Sequence, residues 1–168
     1  RASECRNFRA VKGRGMQMAM SEVKEYALSK GYKIFQPEKI RKNPEFIEEI
    51  KALNADIACV VVYGQILPKS FLDIFKHGCI NVHPSLLPKY GGKGMFGANV
   101  HNAVLQNKEL ETGITIHFVN EDFDKGEIIA QFKCAISEQE TVESLQAKIH
   151  ALEHANFPTI IKNTIEND

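Results

Sequence analysis

Three side chains in this 168-residue chain have the types and spacing to manage an addition to a carbonyl: Asn81, His83 and Asp124. Asn81 and His83 stand two apart in the run N-V-H-P-S-L-L-P, so on a strand their side chains share one face. Pro84 has no N–H and ends strand pairing, which puts His83 at the strand's end. An amide NH2 beside an imidazole can hold a developing oxyanion and move a proton. The same pair could instead satisfy backbone groups of the loop that follows. Asp124 belongs to E-D-F-D-K-G, Glu121 to Gly126. Phe123 before it and a strand after it would draw Asp124 inward, where a carboxylate raises a neighbouring histidine's pKa and orients it. The set Asn, His, Asp would suit acyl-type transfer to an amine. Two other readings of the acidic turn stay open: a metal site and a solvated turn.

The elements that must position these residues read as alternating helices and strands. Ser21 caps a helix with Val23, Tyr26 and Ala27 on its apolar face, and Tyr32 to Phe35 is a short strand. Asn43-Pro44 starts a helix whose Phe46, Ile47, Ile50 and Leu53 mark one face. The run Asp56 to Tyr63 is apolar enough for a strand buried on both faces. Pro68 opens a helix, Cys79 to His83 is a strand, and a polar, Gly-rich loop runs from Lys89 to Gly97. A helix over Asn99 to Leu105, strands over Thr112 to Val119 and Ile128 to Ile136, and a last helix capped by Thr141 and kinked at Pro158 complete the order. Such alternation predicts an α/β domain, Rossmann-like, with a largely parallel sheet and helices on both faces. Ligands in such sheets bind beyond the carboxyl ends of strands, here at Tyr63-Gly64 and Asn81 to His83. We expect residues 1–18 to form an irregular basic arm and residues 19–168 the catalytic domain.

A content of 43% hydrophobic and 25% charged residues excludes disordered, collagen-like and low-complexity classes. Apolar runs are far shorter than the ~20 residues of a membrane helix. Twenty-one basic and twenty-one acidic residues cancel, so overall charge gives no case for nucleic acid. Arg1, Arg6, Arg9, Lys12 and Arg14 cluster in the arm, which reads as a solvated tail or a phosphate contact. Cys5, Cys59, Cys79 and Cys134 contain no C-x-x-C pair, which speaks against zinc, and Cys59 and Cys79 read as buried. The expected setting is cytoplasmic, with reduced thiols. His150 and His154, four apart, lack a third metal ligand nearby in sequence and read as structural, as do His117 and His77.

Together, N-V-H-P-S-L-L-P, T-G-I-T-I-H-F-V (Thr112 to Val119) and F-D-K-G-E-I-I (Phe123 to Ile129) resemble the folate-dependent formyltransferases. From about Gly78 to Ile165 the chain is most similar to the branch acting on glycinamide ribonucleotide, through H-P-S and L-E-H-A-N-F-P. The amino half, with G-R-G, I-F-Q-P and Y-G-Q-I-L-P, resembles the branch acting on methionyl-tRNA. The resemblance implies the formyltransferase fold, its first strand and Gly-rich phosphate loop not among these residues. It also implies 10-formyltetrahydrofolate as formyl donor, no metal, and Asn81, His83 and Asp124 as the catalytic set. Gln65, Ile66 and Leu67 match one folate loop; Val119, Asn120, Glu121, Asp122 and Phe123 match the second. The expected reaction is formyl transfer to an amine, first glycinamide ribonucleotide in purine biosynthesis. The alternatives are methionyl-tRNA as acceptor and a folate-binding fragment without turnover. An unpaired sheet edge implies self-association.

Overall fold

The computed structural model describes residues 2–4, 10–12, 17–61 and 63–166, with the backbone alone for 2–4, 10–12 and 17–19. The chain forms two compact units, Arg1–Ala55 and Asp56–Asp168. Residues 19–55 therefore group with the amino-terminal stretch rather than with the remainder.

In the first unit, β1 (Ala2–Glu4) runs parallel to β4 (Lys33–Phe35), and β2 (Ala10–Lys12) pairs antiparallel with β3 (Gln17–Ala19). These strands fall within or beside the stretch read as an irregular arm. Backbone pairing, which the sequence pattern does not reveal in three-residue strands, is what orders them. Arg1, Arg6, Arg9 and Arg14 lie outside the described residues, as does Cys5. Helix α1 (Glu22–Ser29) begins where Ser21 accepts from the Lys24 N–H at 3.3 Å. Of its expected apolar face only Ala27 is buried; Val23 and Tyr26 are exposed. Helix α2 (Pro44–Lys51) is capped by Asn43, which accepts from the Phe46 N–H at 3.0 Å. Its Phe46, Ile47 and Ile50 are buried, and Phe46 meets Phe35 edge-on with ring centroids 5.7 Å apart.

The second unit holds a four-stranded open sheet in the order β5 (Ala58–Val60), β6 (Cys79–His83), β7 (Glu111–Phe118), β8 (Ile128–Ala135). Helices α3 (Lys69–Leu72), α4 (Ala98–Gln106) and α5 (Val142–Glu166) complete it. The class is the expected mixed α/β fold. Pairing is parallel between β5 and β6 but antiparallel at β6–β7 and β7–β8. The last two strands form a hairpin, so no crossover helix separates them. Helix α5 packs on β6, β7 and β8 and also against α4. Its Ile149 joins Val82, Ile114 and Ile116 in one core cluster, and Leu145 joins Val100 and Val104 in another. Each fully buried Ile or Leu is worth roughly 1.5–3 kcal/mol against exposure.

Three local expectations change. Strand β5 is short and half-buried and Cys59 is exposed, because β5 lies at the edge of this sheet while Cys79, on the inner strand β6, is buried. Burial pushes the Cys79 thiol up to about 12. Helix α5 continues through Pro158, which is exposed, to Glu166. Among the described residues no helix is long and apolar enough to cross a membrane.

Candidate active site

Strand β6 carries Asn81 and His83 to its carboxyl end. His83 is 3% exposed, and its Nε2 lies 2.7 Å from the carbonyl oxygen of Tyr90. A carbonyl can only accept, so Nε2 carries a hydrogen and donates it. The other ring nitrogen, Nδ1, faces Asp124 Oδ1 at 3.6 Å, beyond hydrogen-bond distance. Burial pushes the His83 pKa below its usual value, against the opposing pull of Asp124 and of the Tyr90 carbonyl. The resting imidazole is thus neutral, with a bare Nδ1 beside a carboxylate.

Asp124 sits in the turn between β7 and β8 with φ +53°, a left-handed conformation that Asp adopts more readily than most residues. Its Oδ2 accepts from the Gly92 N–H at 2.8 Å. Gly126, two residues on, could not carry a side chain: a Cβ there would lie 1.6 Å from the Phe118 carbonyl oxygen. The turn packs so tightly against β7 that the position of Asp124 follows from the backbone.

The loop after His83 is held by a buried polar network. Thr115 Oγ1 donates to the Ser85 carbonyl at 2.7 Å and accepts from the Leu87 N–H at 2.9 Å. Gln131 Nε2 donates to the Leu87 carbonyl at 3.0 Å and to Thr115 Oγ1 at 2.9 Å. The Tyr90 hydroxyl donates to Glu109 Oε1 at 2.8 Å, which helps hold the residue whose carbonyl orients His83. None of these contacts is legible from motif spacing, because the partners Glu109, Thr115 and Gln131 come from far along the chain.

Asn81, His83 and Asp124 all line one cavity of about 310 Å³. Gln65, Ile66 and Leu67 edge it, as do Val119, Asn120, Asp122 and Phe123, while Glu121 is exposed and does not line it. Among the described residues no backbone–backbone hydrogen bond involves Gln65, Ile66 or Leu67. Buried Leu67 and half-buried Ile66 add apolar surface. Apolar side chains at the cavity edge suit the face of a flat heterocycle.

The structure also brings in residues read as structural from sequence. His117 lines the cavity beside Asn81, because the β6–β7 register sets the two directly opposite. Helices α4 and α5 add His101, Gln146, His150 and Glu153. His101 is 2% exposed, and its Nδ1 has no hydrogen-bond partner among the described residues. Burial first, then His150, pushes its pKa down. Burial pushes the Glu153 carboxyl up, against His150 and His154. The three- and four-residue spacing of Gln146, His150 and Glu153 was the available signal for one helix face. His154 is exposed and does not line the cavity.

The sequence family described as formyl transferase matches residues 6–161. The methionyl-tRNA formyltransferase of Caldanaerobacter subterraneus subsp. tengcongensis is 44% identical over 138 residues, covering 82% of this chain and 43% of that protein. Its counterpart in Clostridioides difficile is 40% identical over 164 residues, covering 90% and 51%. This chain therefore spans about half the length of these curated relatives. Among solved structures, phosphoribosylglycinamide formyltransferase from Bacillus halodurans superposes with a TM-score of 0.76 at 26% identity, over 87% of this chain and 76% of that one. Glycinamide ribonucleotide transformylase 1 from Symbiobacterium toebii gives 0.70 at 29%, over 82% and 65%.

Proposed function

Because the chain belongs to the formyl transferase family, we propose that it transfers a formyl group from 10-formyltetrahydrofolate to an amine, with glycinamide ribonucleotide as acceptor. The observation that carries this reading is the convergence of Asn81, His83 and Asp124 on one cavity edged by both expected folate loops. Residues 19–168 are the catalytic stretch in this reading, and 56–168 carry its chemistry.

The donor supplies an activated formyl carbon on a nitrogen leaving group. The amine's addition forms a C–N bond, puts the carbonyl pair on oxygen and leaves the new nitrogen cationic. Asn81 donates an amide hydrogen to that oxygen. His83 has a bare Nδ1 beside Asp124, so the pair can take the proton released by the amine nitrogen. Negative charge building on the oxygen raises the proton affinity of His83, which then becomes a second donor to it. As the oxygen's pair returns and the C–N bond to the donor breaks, His83 and Asp124 can return the proton to the leaving nitrogen.

The acceptor side is where α4 and α5 present His101, Gln146, His150 and Glu153. A wall of imidazole, amide and carboxyl side chains suits a small acceptor bearing hydroxyls. A second reading, methionyl-tRNA as acceptor, is favoured by the 44% identity to a relative of that name. Incubating the protein with 10-formyltetrahydrofolate and each acceptor in turn distinguishes them. Glycinamide ribonucleotide should be formylated with the higher kcat/KM; faster formylation of methionyl-tRNA would replace this acceptor with the second. Donor binding without transfer to either would reduce the protein to a folate binder.

A further inference from the structure

The pairing of β6 with β7 puts Asn81 opposite His117, and the two side chains meet on the cavity side of the sheet. His117 is 2% exposed. Its Nδ1 lies 2.8 Å from the Phe118 carbonyl oxygen, which can only accept, so Nδ1 bears the ring hydrogen. In the neutral ring Nε2 is then a bare acceptor. Asn81 Nδ2 lies 3.1 Å from that Nε2.

These two bonds decide which way the Asn81 amide faces. An amide is nearly symmetric in shape, and only its partners distinguish the nitrogen from the oxygen. Opposite a bare Nε2 the nitrogen fits: one of its two hydrogens is donated to the ring. The reversed amide would set the oxygen's lone pairs against those of Nε2. One N–H hydrogen is spent on His117, and the second remains for the cavity that Asn81 lines.

We propose that His117 is a positioning residue for formyl transfer: its Nε2 fixes the Asn81 amide so that the remaining N–H hydrogen is available to the charge that develops on the formyl oxygen. The inference rests on the reading of Asn81 as donor to that oxygen. The direction of control runs from the Phe118 carbonyl through the ring to the amide, so a main-chain group of β7 sets the polarity of a side chain on β6. Asp124 Oδ1, 3.8 Å from Nε2, is too distant to take over that bond.

The test uses the full chain. His117→Leu removes the acceptor, and His117→Gln offers an amide oxygen to the Asn81 nitrogen. We expect His117→Leu to lower kcat about 10- to 100-fold with little change in the KM for 10-formyltetrahydrofolate, and His117→Gln to recover much of that loss. In the Asn81→Ala background His117→Leu should change kcat by less than twofold, because the group it acts through is gone. Equal kcat for the Leu and Gln variants, or full additivity with Asn81→Ala, would overturn the proposal. If His117→Leu does not fold, 15N shifts of the wild-type imidazole decide instead: the Nδ1–H tautomer supports the assignment and the Nε2–H tautomer ends it. A wild-type protein with no formyl transfer to any amine would defeat the underlying reading, an outcome distinct from all of these.

Discussion

The backbone N–H of Gly92 donates to Asp124 Oδ2 at 2.8 Å, which ties the Gly-rich loop to the carboxylate beside His83. The neighbouring Gly91 is closely packed: a Cβ there would lie 2.6 Å from Leu87 Cδ2 and 3.3 Å from Asp124 Cβ. Gly91→Ala should therefore shift the loop away from Asp124 and lower kcat. Gly94→Ala, where a Cβ would meet nothing within 4 Å, should leave kcat far less affected despite its φ of +86°. Steady-state formyl transfer by the two variants compares them directly.

Removing the groups that meet the reacting atoms should cost turnover rather than folding. Asn81→Ala, His83→Ala and Asp124→Ala are expected to lose ~10²–10³ in kcat, the usual effect of deleting one oxyanion donor. His154→Ala, on an exposed residue outside the cavity wall, is the control and should retain wild-type turnover. Circular dichroism spectra that match the wild type would confirm that the fold is kept.

The Thr115 hydroxyl serves three backbone or side-chain groups at once, so Thr115→Val should be costly. It strands the Ser85 carbonyl, the Leu87 N–H and one Gln131 hydrogen in a buried setting. Each stranded group costs about 1–3 kcal/mol. Urea denaturation should show a loss of at least that size, and Thr115→Ser should restore most of it. A Val variant as stable as wild type would mean that water replaces the hydroxyl.

Stability should fall on mild acidification. His83 and His101 both have pKa values lowered by burial, so the unfolded chain binds more protons than the folded one. That stability is fully present above the ordinary histidine value of about 6.5 and is lost as pH falls below it toward the folded values. Unfolding free energies at pH 7.5 and 5.5 should differ in that sense, and His101→Asn should reduce the difference. The carboxylate Glu140, held near about 2 mainly by Lys148, titrates below this window and leaves it undisturbed.

Much of the site could be read from residue types and order. The strand Cys79–His83, the caps at Ser21, Asn43 and Thr141, and the convergence of Asn81, His83 and Asp124 all follow from local chemistry: a proline that ends pairing, an oxygen that caps a helix, an acid drawn inward beside Phe123. What local chemistry cannot supply is register. His117 reads as a structural strand residue until β6 and β7 are aligned, and His150 as a structural helix residue until α4 is set against α5. The antiparallel pairing at β6–β7 and β7–β8 was hidden for the same reason, since an apolar strand looks alike whichever way its neighbour runs. Glu121 differs for another reason: its place in a folate-loop motif says nothing about whether its own side chain turns inward, and that side chain is exposed.

Every cavity-lining residue named above lies between Val60 and Glu153, within the second of the two compact units. On the proposed reading, proton handling and oxyanion support therefore fall within one contiguous stretch of the sequence. None of the residues named for that chemistry falls in residues 1–55. A segment covering residues 56–168 would carry the whole proposed reaction centre, whatever acceptor the rest of the protein recognises.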